Sequence, residues 1–293
     1  MASPALPLPL RTRLPDGTGE MPLRVLITRP EDQAVDTADW VHTAGGQAIV
    51  CPCLRQMPPA DPAALLNAVE GLAGFAAVAL TSSHAVAALA DALRALAKPA
   101  PIALRDVMVG VVGPRTADAL TTLGRPPDLI AGSDSDGGGS SAGQLARLLI
   151  AQHAQAKNPR PPHALFLRAA DARPALPITL RGAGWQVTEV EAYRMQAATP
   201  QQLAPLYDAL AAARVDLVPF GSPRTVEIAL DALAHHAGSP AAARALLARV
   251  RVGAIGETTA QALARQGIRV DVTAATATFP ALLQALAAAA PPI

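Results

Sequence analysis

The chain repeats itself once, and this limits its fold more than any single motif does. VLITRPEDQA (25–34) is answered by ALFLRAADAR (164–173), which sets Arg29 against Arg168, 139 residues on. AGGQAIV (44–50) is answered by AGWQVTE (183–189) at the same offset. VALTSSHAVAAL (78–89) is then matched by VPFGSPRTVEIAL (218–230), and VGVVGPRTADALTTLG (109–124) by VGAIGETTAQALARQG (252–267), with Gly113 against Gly256. One duplication, as opposed to a run of short repeats, excludes a solenoid and implies two similar halves.

Both copies share one grammar. RVLIT (24–28), rich in β-branched residues, predicts a strand; a polar helical stretch runs on to Gly45-Gly46, and QAIVCPCL (47–54) predicts the next strand. FAAVALT (75–81), a helix from Ser82 or Ser83, DVMVGVVG (106–113), a helix opening near Pro114 and PDLIA (127–131) continue the alternation. A low-complexity loop, GSDSDGGGSSAG (132–143), precedes a helix over 144–151. Strand-helix-strand units generate parallel sheets, so the expected fold class is α/β.

Composition then removes several functions. In 293 residues the net charge is +1, which argues against a nucleic-acid partner, and 3% aromatic content leaves little to stack on bases or flat cofactors. No run of about 18 apolar residues escapes interruption, so no membrane span is expected. Cys51 and Cys53 flank one proline in a strand-like run, an awkward geometry for a mutual disulfide; two ligands cannot close a zinc site, and reduced structural thiols are expected. Residues 1–21 are proline-rich without periodicity or a signal-peptide pattern, and read as a flexible extension of a cytoplasmic protein.

Three kinds of position recur in both copies. The first is a strand running into a serine turn that opens a helix: Ser82 and Ser83 in one copy, Ser222 and Pro223 in the other. Such hydroxyls cap the first helical turn, and the same junction binds anions when it lies at the carboxyl end of a parallel sheet. The second is a glycine turn before a helix, Gly113-Pro114-Arg115-Thr116 and Gly256-Glu257-Thr258-Thr259, with neither a dinucleotide nor an NTP fingerprint. Thr116, Thr258 and Thr259 are its candidate ligand hydroxyls. The third is the arginine pair Arg29 and Arg168 at strand ends, suited to gripping a carboxylate or simply exposed. The six histidines show no metal spacing, and His235-His236 reads as a solvated pair in a polar loop. Tyr193, after the strand-like WQVTEVEA, reads either as a strand aromatic or as a phenol donor.

Taken in order, VLITRPEDQA, TSSHAVAAL, VGVVGPRTADALTTLG, EVEAYRM, PFGSPRTVEIAL and the 252–286 segment resemble the uroporphyrinogen-III synthase family over residues 24–288. The resemblance implies two α/β domains joined by a two-stranded β-ladder: residues 22–55 with 198–293, and residues 57–195, facing across a hinged cleft. It implies cofactor-free cyclisation of linear hydroxymethylbilane to uroporphyrinogen III with inversion of ring D and loss of water. A monomer is expected, with transient handover of the linear tetrapyrrole from hydroxymethylbilane synthase. Tyr193 occupies the family's tyrosine position and is the candidate for assisting hydroxide departure; Ser82, Thr116, Ser222 and Thr259 match hydroxyl positions facing the cleft. TSSHAV departs from the family's usual turn at His84, and the 132–143 loop is longer than usual. A non-enzymatic two-lobed solute-binding protein is the alternative that duplicated α/β lobes also allow.

Overall fold

The structure is a computed structural model that describes residues 9–13, 19–132, 141–156 and 161–289. The loop expectation over 132–143 falls almost wholly outside the described residues. The chain divides into two compact units, Met1–Gln56 with Gln196–Ile293, and Met57–Met195.

Each unit holds a parallel sheet. In the first, the strand order is Val272–Thr273, Arg251–Ala254, Leu217–Phe220, Arg24–Ile27, Gln47–Val50. In the second it is Leu129–Ala131, Met108–Val112, Ala77–Leu80, His163–Ala169, Gln186–Ala197, with Leu54–Met57 beyond. The orders coincide once the repeats are superposed: in each sheet five strands follow the same order, two from one copy of the duplication and three from the other, and Leu54–Met57 adds a sixth to the second sheet. Leu54–Met57 and Gln186–Ala197, the neighbours that the resemblance made a ladder, contain the two points where the chain changes unit.

Apolar residues line both faces of each sheet, as parallel sheets require. In the first unit one face packs on Pro223–Ala237 and Glu257–Arg265, and the other on Glu31–Thr43 and Phe279–Ala288. In the second, Ser83–Ala95 and Pro114–Thr121 cover one face, and Ser141–Ala154 and Ala175–Gly182 the other. The duplication persists in how these layers meet. A Cβ on Gly110 would lie 2.7 Å from a Leu145 methyl, and one on Gly253 2.7 Å and 2.8 Å from methyls of Leu286 and Leu282. In each copy a strand glycine thus receives leucines from the covering helix. Gly110→Ala and Gly253→Ala are each expected to lower unfolding free energy by about 1–3 kcal/mol through overpacking. Denaturant melts check this, and the double variant Gly253→Ala/Leu286→Ala should lose less than the sum of the two single losses, because the two side chains compete for one space.

Three expectations need correction. QAIVCPCL is not one strand: it stops at Val50 and pairing resumes at Leu54, because Pro52 has no N–H to give a ladder. Within this break Cys51 and Cys53 are free, buried thiols, as expected; burial, then the neighbouring Cys51, pushes Cys53 up to about 12, which leaves an inert thiol. The second correction is that His235 and His236 end the helix Pro223–Ala237, where the His236 Nε2 lies 2.7 Å from the Pro200 carbonyl oxygen and its ring stacks on Tyr207.

The third correction concerns the N-terminal segment. Leu10 is fully buried against Leu23, Val25, Ala38 and Val41. Its N–H donates to the Ala44 carbonyl at 2.7 Å, and its own carbonyl accepts from the Leu23 N–H at 2.8 Å. Arg11–Arg13 pairs antiparallel with Glu20–Pro22. Part of the supposed extension is therefore core. Among the described residues no helix is long and apolar enough to cross a membrane.

Candidate functional site

Because the central strands of both sheets pair in parallel, the strand ends of each unit come out along one edge. At that edge four helices open in each unit: at Glu31, Pro223, Glu257 and Phe279 in the first, and at Ser83, Pro114, Ser141 and Ala175 in the second. Their first-turn N–H groups supply donors wherever no side chain caps them.

Ser82 and Ser222 are capping residues in matching conformations, at φ −156° and ψ 155° against φ −162° and ψ 156°. Ser82 Oγ accepts from the Ala85 N–H and Ser222 Oγ from the Thr225 N–H, each at 3.2 Å. Ser222 Oγ also lies 2.8 Å from Thr225 Oγ1, a partner absent from the first copy, where Ala85 stands. Ser83 is exposed and Pro223 half-buried at the first helical position.

The glycine turns differ between copies. Gly113 has φ +76°, which glycine adopts without strain, whereas Gly256 is extended at φ −175°. A Cβ at either position would meet nothing within 4 Å. Neither the fold's packing nor, at Gly256, its backbone accounts for glycine. Thr116 and Thr259, which the resemblance turned toward a ligand, are instead 4% and 1% exposed, packed inward from the first turn of their helices. Thr258 is exposed.

Both arginines are held within their own unit. Arg29 donates from Nη1 to Thr37 Oγ1 at 2.8 Å and from Nη2 to Gln33 Oε1 at 2.7 Å, with its guanidinium 4.0 Å from the centre of the Phe279 ring. Phe279 in turn requires Gly221, whose Cβ would lie 2.9 Å from that ring. Arg168 pairs with Glu189 at 3.1 Å and donates from Nη1 to the Ala169 and Ala170 carbonyls, each at 3.0 Å.

Tyr193 lies inside the strand Gln186–Ala197, not after it, and is 8% exposed. Its direction comes from a bulge. Glu191 stands opposite Arg168 and Tyr193 opposite Ala169, leaving Ala192 as the extra residue. Strict alternation would put Tyr193 on the side of Glu191 and Glu189; with the bulge, consecutive Ala192 and Tyr193 both join Val190 in the core beneath Ser83–Ala95. There the phenol ring meets His84, with centroids 5.0 Å apart and planes tilted by 48°. Beside it the Arg194 guanidinium, bonded at 2.7 Å, holds the Glu191 carboxyl below the usual carboxylate range against the opposing effect of burial. Sequence reasoning set His84 aside as a departure and had no signal for the bulge or for the ring of Phe279.

Comparison with known proteins adds the family. The uroporphyrinogen-III synthase HemD family model matches residues 36–284. A putative uroporphyrinogen-III synthase of Methanothermobacter thermautotrophicus is 29% identical over 245 residues, 83% of this chain and 89% of that protein. The uroporphyrinogen-III synthase of Synechococcus elongatus is 29% identical over 276 residues, 89% of this chain and 93% of its own length. In fold, the chain is similar to a crystal structure of a mutant uroporphyrinogen III synthase from the extreme thermophile Thermus thermophilus, with a TM-score of 0.53 and 21% identity over 89% of this chain and 96% of that one. The chain belongs to the uroporphyrinogen-III synthase family, lyases of porphyrin biosynthesis.

Proposed function

We propose that the protein cyclises hydroxymethylbilane to uroporphyrinogen III without a cofactor. The family match across residues 36–284 carries this reading. In the reaction, loss of the terminal hydroxyl leaves an electrophilic methylene-pyrrolenine. The substituted carbon of ring D attacks it to give a spiro intermediate, which fragments and recloses with ring D inverted. The protein must therefore assist hydroxide departure and fold a flexible chain for the less accessible attack.

Tyr193 is the donor we assign to hydroxide departure, because its phenol ring packs against His84 in the first turn of a helix that opens at this edge. Its burial removes competing water from the leaving group. Folding the substrate falls to backbone amides. The substrate carries many carboxylates, and uncapped helix N-termini bind anions without a strongly basic surface, in keeping with a net charge of +1. Gly113 and Gly256 let a ligand approach that backbone, since a side chain there would fill open space. Thr116 then contributes through its N–H group, its side chain being buried, whereas the Thr259 N–H donates to the Gly256 carbonyl at 3.1 Å and Thr259 serves the turn itself. Arg29 and Arg168 shape the edge through their internal bonds. Supply of the bilane by handover from hydroxymethylbilane synthase and action as a monomer complete the reading.

The test is conversion of hydroxymethylbilane to the type III isomer above the spontaneous type I background. Only type I product, alongside tight binding of a small solute, would return the solute-binding alternative. Gly256→Ala probes the amide wall. With extended backbone and open space, it is expected to melt within about 0.5 kcal/mol of the parent while raising KM about fivefold, the size of one weakened hydrogen bond. An unchanged KM would remove Gly256 from the binding surface.

A further inference from the structure

The contact of His84 with Tyr193 is not an echo of the duplication. The same two places in the other unit hold Arg224 and Leu54, and that unit builds its strand-to-helix junction without a ring pair. The fold thus does not need the pair, yet everything around His84 fixes where its ring lies. It is the second residue of the helix Ser83–Ala95, half-buried, in a first turn pinned by the Ser82 cap and by the Val86 N–H donating to the Ser82 carbonyl at 3.3 Å. From the other side the bulge at Ala192 brings the phenol ring to 5.0 Å. One rotatable bond, χ1, decides where a tyrosine hydroxyl points once its backbone is set, and a tilted ring packed on a rigid helix end limits that rotation.

We propose that His84 is a positioning residue that orients the Tyr193 phenol toward the leaving hydroxyl of the bilane. This rests on reading Tyr193 as the acid. The positioning is done by the ring face, and it matters only because the ring carries a hydroxyl.

Steady-state assays with hydroxymethylbilane on His84→Ala, His84→Gln, His84→Phe, Tyr193→Phe and the His84→Ala/Tyr193→Phe double variant test it. His84→Ala and His84→Gln should each lower kcat about tenfold, a common cost of a displaced catalytic group, with KM within about twofold. His84→Phe should restore kcat, because it keeps the ring. On the Tyr193→Phe background, His84→Ala should have no further effect. Wild-type kcat in His84→Ala beside a slow Tyr193→Phe overturns the proposal and spares the acid. So does an undiminished tenfold loss in the double variant, or failure of His84→Phe to restore a stably folded enzyme. Wild-type turnover by Tyr193→Phe overturns the acid itself, and the role of His84 with it.

Discussion

Tyr193→Phe is expected to lower kcat by about 10²-fold or more while the remaining product stays type III. The substitution removes one oxygen and keeps the ring, which is packed among Val190, Ala192 and the helix Ser83–Ala95 and contacts His84. The fold should therefore survive. A positioned general acid supplies about 10²- to 10⁴-fold, whereas one ordinary hydrogen bond to bound substrate supplies about 5- to 30-fold. The size of the loss thus separates an acid from a contact. Isomer identity separates it from folding of the substrate, because ring D inversion follows from how the bilane is held by many groups, few of which a side-chain change can delete. Product analysis beside kcat reads both. A wild-type rate would leave positioning alone to explain catalysis.

What could be read in the sequence follows from where the information is local. Gly110 against Gly253 and Ser82 against Ser222 were legible because a covering helix and a capping turn each demand one residue type at one place, twice. The parallel order of both sheets followed from strand-helix alternation. The direction of Tyr193 did not, since Val190-Glu191-Ala192-Tyr193-Arg194 satisfies period-two alternation on either face and only pairing with His163–Ala169 creates the bulge. Position along the strand could suggest Tyr193 for a role but could not find its neighbour. Thr116 and Thr259 were misjudged in the same way: residue type and place fit a ligand hydroxyl, and the helix phase that buries them is set by packing. Arg29 looked available for a ligand because its bonds to Gln33 and Thr37 depend on side-chain placement, and the ring beneath it comes from Phe279, 250 residues away.

Leu10 is the sharpest such case and leads to the largest expected stability change. In PALPLPLRTR prolines abolish any period, so nothing marks one leucine among several for burial. Its site is made by distant residues: Gly46, where a Cβ would come within 3.0 Å of the Leu10 side chain, and backbone bonds to Ala44 and Leu23. A fully buried leucine exchanged for alanine typically costs about 2–5 kcal/mol, the upper part when the cavity cannot collapse. The strand Arg24–Ile27 and the helix Glu31–Thr43 form rigid walls here, so Leu10→Ala should fall within that range and lower the melting temperature by roughly 5–15 °C. Deletion of residues 1–18 should cost at least as much, because it also removes the partner of Glu20–Pro22 and leaves the Ala44 carbonyl without its donor. Thr12→Ala, at an exposed position of the adjoining strand Arg11–Arg13, should stay within about 0.5 kcal/mol. Thermal melts of the three decide the point: a deletion that melts like the full chain would mean Leu10 is placed without being held, whereas loss confined to Leu10→Ala and the deletion makes this segment part of the first unit's core.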